Sequence, residues 1–226
     1  MAEAARLAPN LACPTWVMAR TQTAARGRRG RAWVHPAGNL AATLIYKPDV
    51  TAPEAAKRSF MAANALYETL AIYIDRYRLS LKWPNDVLLN GGKVAGILLE
   101  SAGRGPFVDW LSIGVGVNLI AAPTGLTGPF PPVSLKGEGG PDITPEDFLT
   151  VLAGNFATQE GKLREFGFTR IREDWLRHAA RLGEVITART GKDVITGIFD
   201  SVDDDGNLVL ITGMGPRAIS AAEVFF

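Results

Sequence analysis

Four arginines and two glycines fill six consecutive positions at Arg26-Gly27-Arg28-Arg29-Gly30-Arg31, a stretch led in by Gln22. Arginine supplies a planar, permanently charged fork of donors that matches phosphate and carboxylate oxygens. Glycine lets backbone N–H groups converge on an anion, because positive φ costs it nothing sterically. The pair of residue types suits a reaction that presses two anions together. One cation about 4 Å from an anion contributes roughly 4 kcal/mol at an effective dielectric near 20. That offsets carboxylate–phosphate repulsion where the site excludes water. Read alone, the same stretch is equally a solvated basic loop, and Arg/Gly sequences also contact RNA backbones. A formal net charge of +1, and no interleaved aromatic residue except Trp33, weigh against nucleic acid.

A second concentration of chemistry-bearing residues is Lys82-Trp83-Pro84-Asn85-Asp86, followed by Lys93. By themselves these have plain explanations. Asp86 would cap a turn beside Pro84, Lys93 would be an exposed hairpin lysine, and a tryptophan is more often core than ligand platform. His35, His178 and Cys13 are too far apart in sequence to give zinc-type ligand spacing. No phosphate-binding Walker loop occurs, and no Gly-x-Gly-x-x-Gly opens a helix after a strand. A nucleotide would have to be held by another device.

The elements that must position these residues follow from periodicity. With 226 residues, 47% apolar and 21% charged, the chain has material for one full-sized domain and a small appendage. Residues 1–8 read as a helix without a cap before it, and 13–19 as a buried strand. Residues 39–46 read as a second strand. A helix opening at Thr51 carries Phe60, Ala63, Tyr67, Leu70, Ile74 and Tyr77 as one stripe. Residues 79–118 read as sheet, with Asn90-Gly91 as the turn of a hairpin, since both residues take positive φ readily. After a Pro/Gly-rich loop at 121–143, Thr144 caps a helix bearing Phe148, Leu152, Phe156, Leu163 and Phe166. A shorter helix carries Ile171, Trp175, Ala179 and Leu182 and ends at Gly183. Short β-runs at 185–188, 194–199, 208–211 and 218–226 then suggest a small closed barrel. No apolar run is long enough to span a bilayer, and no signal-peptide core is present. A single cysteine suits a reducing, cytoplasmic setting.

Four segments, QTAARGRRGRAW (22–33), KWPNDVLLNGGKVAGILLE (82–100), GVGVNL (114–119) and the terminal β-runs, together resemble the biotin–protein ligase family of the biotin/lipoate transferase fold. The resemblance runs over essentially the whole chain. It implies an α+β fold: a mixed β-sheet flanked by helices over residues 1–182, and an SH3-like barrel over 183–226. It implies ATP-dependent joining of biotin to a lysine of a biotin carboxyl carrier domain, through biotinyl-5′-AMP. Gln22, the backbone at Ala25 and Arg26, and Lys93 would hold biotin. Arg28 would retain the phosphate-bearing intermediate, and Gly27, Arg29 and Arg31 would complete the loop's binding set. Lys93 would neutralise charge between the biotin carboxylate and the α-phosphate. Trp33 and Trp83 would pack around the adenine or the closed loop, with Lys82 and Gly96 beside them. Asn85 and Asn118 would contact ATP or Mg²⁺, which needs few protein oxygens when phosphates are present. Asp86 would orient or deprotonate the incoming lysine. The other readings are a lipoate or octanoate transferase of the same fold, and a non-catalytic binding protein.

Two departures from the family pattern stand out. Ala25 replaces a usual glycine, which would cost roughly 1 kcal/mol if that backbone needs positive φ. Relatives also carry a strand ending in an Asp-Ser-Thr type motif before the first helix, where Met1 stands here. The uncapped helix points to a start further upstream, and biotin is expected to bind more weakly than to an N-terminally extended form. No winged-helix region precedes the catalytic part, so no DNA binding is expected. A monomer and a homodimer are both compatible with the family.

Overall fold

The Asn90-Gly91 turn closes the hairpin as its residue types require, with φ of 51° and 78°. The computed structural model describes residues 1–31, 33–125 and 128–226. Ala32 of the arginine stretch, and Leu126 and Thr127 of the loop at 121–143, lie outside the described residues. In chain order come helix α1 (Ala2–Leu7), strands β1 (Thr15–Met18) and β2 (Leu40–Tyr46), and helix α2 (Ala52–Leu70). Strands β3 (Leu79–Lys82), β4 (Asp86–Leu89), β5 (Gly92–Ala102) and β6 (Trp110–Val117) follow, and then helix α3 (Pro145–Leu176). The remainder is β7 (Val185–Arg189), β8 (Val194–Val202), β9 (Leu208–Thr212), β10 (Gly215–Ile219) and β11 (Glu223–Phe225).

Six strands form a sheet in the order β1-β2-β6-β5-β4-β3. Every ladder in it is antiparallel, not mixed as expected. The reason lies in α2, whose crossover returns the chain parallel to β2 but docks β3 at the far edge. Three antiparallel strands then stand between the two. Strand β1, expected to be buried, is a half-buried edge with one neighbour, although Trp16 packs edge-on against Phe156.

Helix α2 begins with a reciprocal capping box. Thr51 Oγ1 accepts from the Glu54 N–H, and the Glu54 carboxylate accepts from the Thr51 N–H. Its apolar face, with Phe60, Met61, Leu66 and Leu70, packs on Phe148, Leu152, Ile171 and Trp175 of α3 in one core with the sheet. The stripe ends sooner than its periodicity suggested. Tyr77 is 92% exposed on a separate 3₁₀ turn, whose N–H donates to Asp75. Thr144 caps α3 as expected, and Gly167, at φ 70° and ψ −173°, breaks it into the two helical pieces anticipated. The second piece stops at Leu176, short of Gly183, and Phe166 is exposed.

The last five strands form an antiparallel sheet ordered β10-β9-β8-β7-β11. The run at 218–226 is two strands, because the chain turns at Ser220-Ala221 without a glycine or proline to mark it. Ile186, Phe199, Leu208 and Leu210 fill its inner face, and Phe199 meets Trp175 at 6.5 Å between ring centroids. No helix among the described residues is long and apolar enough to cross a membrane.

Candidate active site

A β-bulge aims the central lysine. Val87 faces Ala95 while Leu88 faces Lys93, so Val94 is an extra residue on β5. Strict alternation would put Lys93 and Gly96 on opposite faces of the strand. The bulge brings Lys93 round to the face of Gly96, where a Cβ would lie 3.3 Å from Lys93 Nζ. On that face Lys93 Nζ stands 2.6 Å from Asp86 Oδ1, and Lys82 Nζ stands 3.7 Å from Asp86 Oδ2. The 2.6 Å approach is an ion pair without hydrogen-bond direction, so Asp86 Oδ1 is buried with a charge beside it and no donor pointed at it.

Gly96 and Gly116 are directly opposed across β5 and β6. With no side chain on either, the sheet offers a bare floor, and the Trp33 ring lies on it. A Cβ at Gly116 would fall 2.6 Å from Trp33 Cζ2, and one at Gly96 would fall 3.4 Å from Cζ3. Lys93 Nζ is 5.5 Å from the centre of the same ring. Above this floor is a cavity of about 280 Å³.

The arginine stretch forms the opposite wall, with Arg26, Gly27, Arg28, Arg29 and Arg31 all lining the cavity. Its positive φ falls at Arg29 (57°) and Gly30 (72°), whereas Ala25 is not among the residues in the left-handed region. The backbone cost considered for Ala25 therefore does not arise. Arg28 Nη1 makes a long contact of 3.4 Å to Asn85 Oδ1. Burial, and then the charge of Arg29, lower the proton affinity of Arg28, while Asp86 works the other way. Burial likewise lowers Lys82, although Asp86 opposes it. Two desolvated cations, with Arg26, Arg29, Arg31 and Lys93 beside them, against the carboxylates of Asp86 and Glu223 leave the cavity short of negative charge. An anionic ligand would supply it.

Gln22, Lys82, Asn85, Asp86, Lys93 and Gly96 also line the cavity. Gln22 presents a buried Oε1 with no donor. Three residues expected at the site do not line it. Trp83 is buried with its Nε1–H donating to the Gly206 carbonyl at 3.2 Å, so it ties the turn before Asp86 to the C-terminal sheet. Asn118 is buried, and its amide donates to the Val133 carbonyl at 3.0 Å and accepts from Asn39. Ala25 precedes the loop's lining residues in sequence and is not one of them. His35, given no role, bonds the Asn39 carbonyl through Nε2 at 2.8 Å.

Sequence reasoning missed Gly116, Phe130 and Glu223. Gly114 and Gly116 alternate on one face of β6, a signal present in the GVGVNL segment. Phe130 places its ring 4.6 Å from Lys82 Nζ from within a loop that has no periodicity to read. Glu223 comes from β11 and grips Arg31, with contacts of 2.6 and 2.5 Å between the two forks.

The model of the biotin/lipoate A/B protein ligase family matches residues 5–118, and that of the biotin protein ligase C-terminal domain matches residues 182–226. A biotin–[acetyl-CoA-carboxylase] ligase of Paracoccus denitrificans is 54% identical over 229 residues, covering 100% of this chain and 95% of that protein. The bifunctional ligase/repressor BirA of Bacillus subtilis is 32% identical over 93% of this chain, which spans 65% of the repressor's length. A biotin protein ligase from Aquifex aeolicus, solved with biotin and ATP, superposes with a TM-score of 0.82 at 24% identity, covering 98% of this chain and 93% of the other.

Proposed function

The chain belongs to the biotin protein ligase family, and we propose that its cavity makes biotinyl-5′-AMP and passes the biotinyl group to a carrier lysine. The activity is that of a biotin–[acetyl-CoA-carboxylase] ligase. In the first step a biotin carboxylate oxygen bonds to the α-phosphorus of ATP, the bond to the β-phosphate oxygen breaks, and pyrophosphate leaves. In the second, the ε-amine of the acceptor lysine bonds to the biotinyl carbon, the acyl–phosphate bond breaks, and AMP leaves.

The observation that carries this reading is the convergence of the arginine loop, Lys93 and Asp86 on one cavity. Lys93, beside the bare floor, neutralises the carboxylate and α-phosphate as they meet. Arg28, Arg29 and Arg31 line the cavity from the loop, where their charge would meet the phosphates. The donor-less Oε1 of Gln22 suits a ureido N–H of biotin. Asp86, flanked by Lys82 and Lys93, accepts the proton that the acceptor amine must lose. The cavity face of Trp33 is available to the adenine ring.

No cluster of three metal-ligating side chains occurs among the described residues. Magnesium would arrive with the triphosphate and neutralise phosphate charge, with Asn85 Oδ1 the side-chain oxygen offered beside Arg28. Residues 1–182 act as the catalytic unit and 183–226 as the small β-domain. The reaction belongs in the cytoplasm, where the exposed Cys13 stays reduced.

Intact-mass measurement of a biotin carboxyl carrier domain incubated with the protein, ATP and either biotin, lipoate or octanoate tests the assignment. Addition of biotin alone is expected. Addition of lipoate or octanoate would replace it with the transferase reading, and no addition of any acid would leave a binding protein.

A further inference from the structure

The loop's outer arginines are already held by carboxylates of the protein. Arg26 Nη2 lies 2.7 Å from Glu100 Oε1 on β5, within the catalytic unit. Arg31 is held from elsewhere, by Glu223 on β11, 192 residues along the chain, with both nitrogens meeting both oxygens. This fork-on-fork geometry fixes direction as well as distance.

Glu223 is itself aimed by the C-terminal sheet. On β11, Val224 is buried in that sheet's core, so its neighbours Glu223 and Phe225 must face the other way. The strand as a whole borders the active cavity, with Ala222, Glu223, Val224 and Phe225 all along its wall. Glu223 also feels the charge of Lys82, which pairs with Asp86. Signs therefore alternate along Lys93, Asp86, Lys82, Glu223 and Arg31, from the catalytic hairpin through the C-terminal strand to the arginine wall of the cavity. As an isolated exposed pair, Arg31–Glu223 would contribute little to stability. Its importance is geometric, since it is where the small β-domain touches the loop.

We propose that Glu223 is a positioning residue by which the C-terminal β-domain holds the arginine loop closed over the cavity, slowing escape and hydrolysis of the biotinyl adenylate. This rests on the adenylate-forming function proposed above. A mixed anhydride survives only where water is kept out, so the loop's closed fraction sets how long the intermediate is retained.

The test combines two readouts on Glu223→Gln and the unaltered protein. Brief trypsin digestion with peptide mapping reads opening of the loop, because its four arginines are the cleavage sites. Gel filtration after loading with labelled biotin and ATP reads adenylate retention. In Glu223→Gln, cleavage within 26–31 is expected to rise about fivefold, the change an exposed ion pair supports. Cleavage elsewhere should not change, and adenylate should leave faster by a similar factor. Equal loop cleavage in the two proteins would overturn the proposal, and so would a parallel rise at all sites, which would mark Glu223 as merely structural. Should the variant not fold, the unaltered protein still answers. Raising salt to roughly 1 M screens the exposed pair, so loop cleavage should rise relative to cleavage at Arg217. An unchanged ratio would overturn the proposal. Failure of the ligase reading looks different, because no adenylate would form at all while the loop's cleavage still responded to Glu223.

Discussion

Lys93 Nζ stands 2.6 Å from Asp86 Oδ1 across the β4–β5 hairpin, and the one-residue bulge at Val94 puts it there. The proposed function gives the two groups separate duties in the two half-reactions, so their substitution should separate those halves. Lys93→Met should cut biotin-dependent adenylate formation about 10²- to 10³-fold, the loss typical of a transition-state charge partner. Its fold should hold, because the Lys93 side chain is partly exposed. Asp86→Asn should leave adenylate formation comparatively intact and cut transfer to the carrier. It should also cost about 1–3 kcal/mol in urea unfolding, because buried Lys82 loses its counter-charge. Single-turnover measurement of each half separates the two. Equal loss in both halves for Asp86→Asn would contradict its assignment.

Gly116→Ala tests the bare floor. The added methyl would fall 2.6 Å from the Trp33 ring, which must tilt away. An altered Trp33 emission and a raised KM for ATP are expected, with unfolding free energy changed by less than about 1 kcal/mol. An unchanged KM for ATP would remove Trp33 from the nucleotide site.

Lys82→Met should separate stability from activity. Burial lowers the folded-state pKa of Lys82 below its unfolded value, so folding disfavours the charged form. That penalty is full below the folded pKa and disappears as pH rises through it toward the unfolded value. The methionine variant should therefore match or exceed the parent's stability near neutrality, with the advantage shrinking at alkaline pH in denaturant titrations, and should form adenylate more slowly. A large loss of stability at neutral pH would show that Lys82 is a net stabiliser.

Glu223 responds in the opposite direction. Its hydrogen bonds to Arg31 hold its pKa below the ordinary carboxylate value. The contact is thus complete above that ordinary value and is lost as pH falls through the lowered one. Adenylate retention should be flat across neutral pH and fall only in acid, as read by gel filtration at stepped pH. A fall between pH values of about 6 and 8, where histidines titrate, would implicate another group.

Much of this site was legible in the sequence because it is local. The arginine stretch, the turn at Asn85 and Asp86, and Lys93 sit in short segments whose spacing carries their chemistry. What was not legible depends on pairings distant in sequence or on which atoms a side chain spends elsewhere. Asn118 and Trp83 carry suitable chemistry, but one amide is committed to Asn39 and Val133 and the other ring to Gly206. Glu223 is one carboxylate among many until β11 brings it to Arg31. The same holds for the fold. Apolar alternation marked β1 as a strand but could not say that it is an edge, and the stripe of α2 ran on in sequence past the point where the helix stops.

The central claim is that this cavity activates biotin as its adenylate before any carrier arrives. Exchange of labelled pyrophosphate into ATP, measured without carrier protein, tests it most directly. Exchange is expected to require biotin, to be unsupported by lipoate or octanoate, and to be lost in Lys93→Met. Exchange independent of biotin, or undiminished in Lys93→Met, would contradict it.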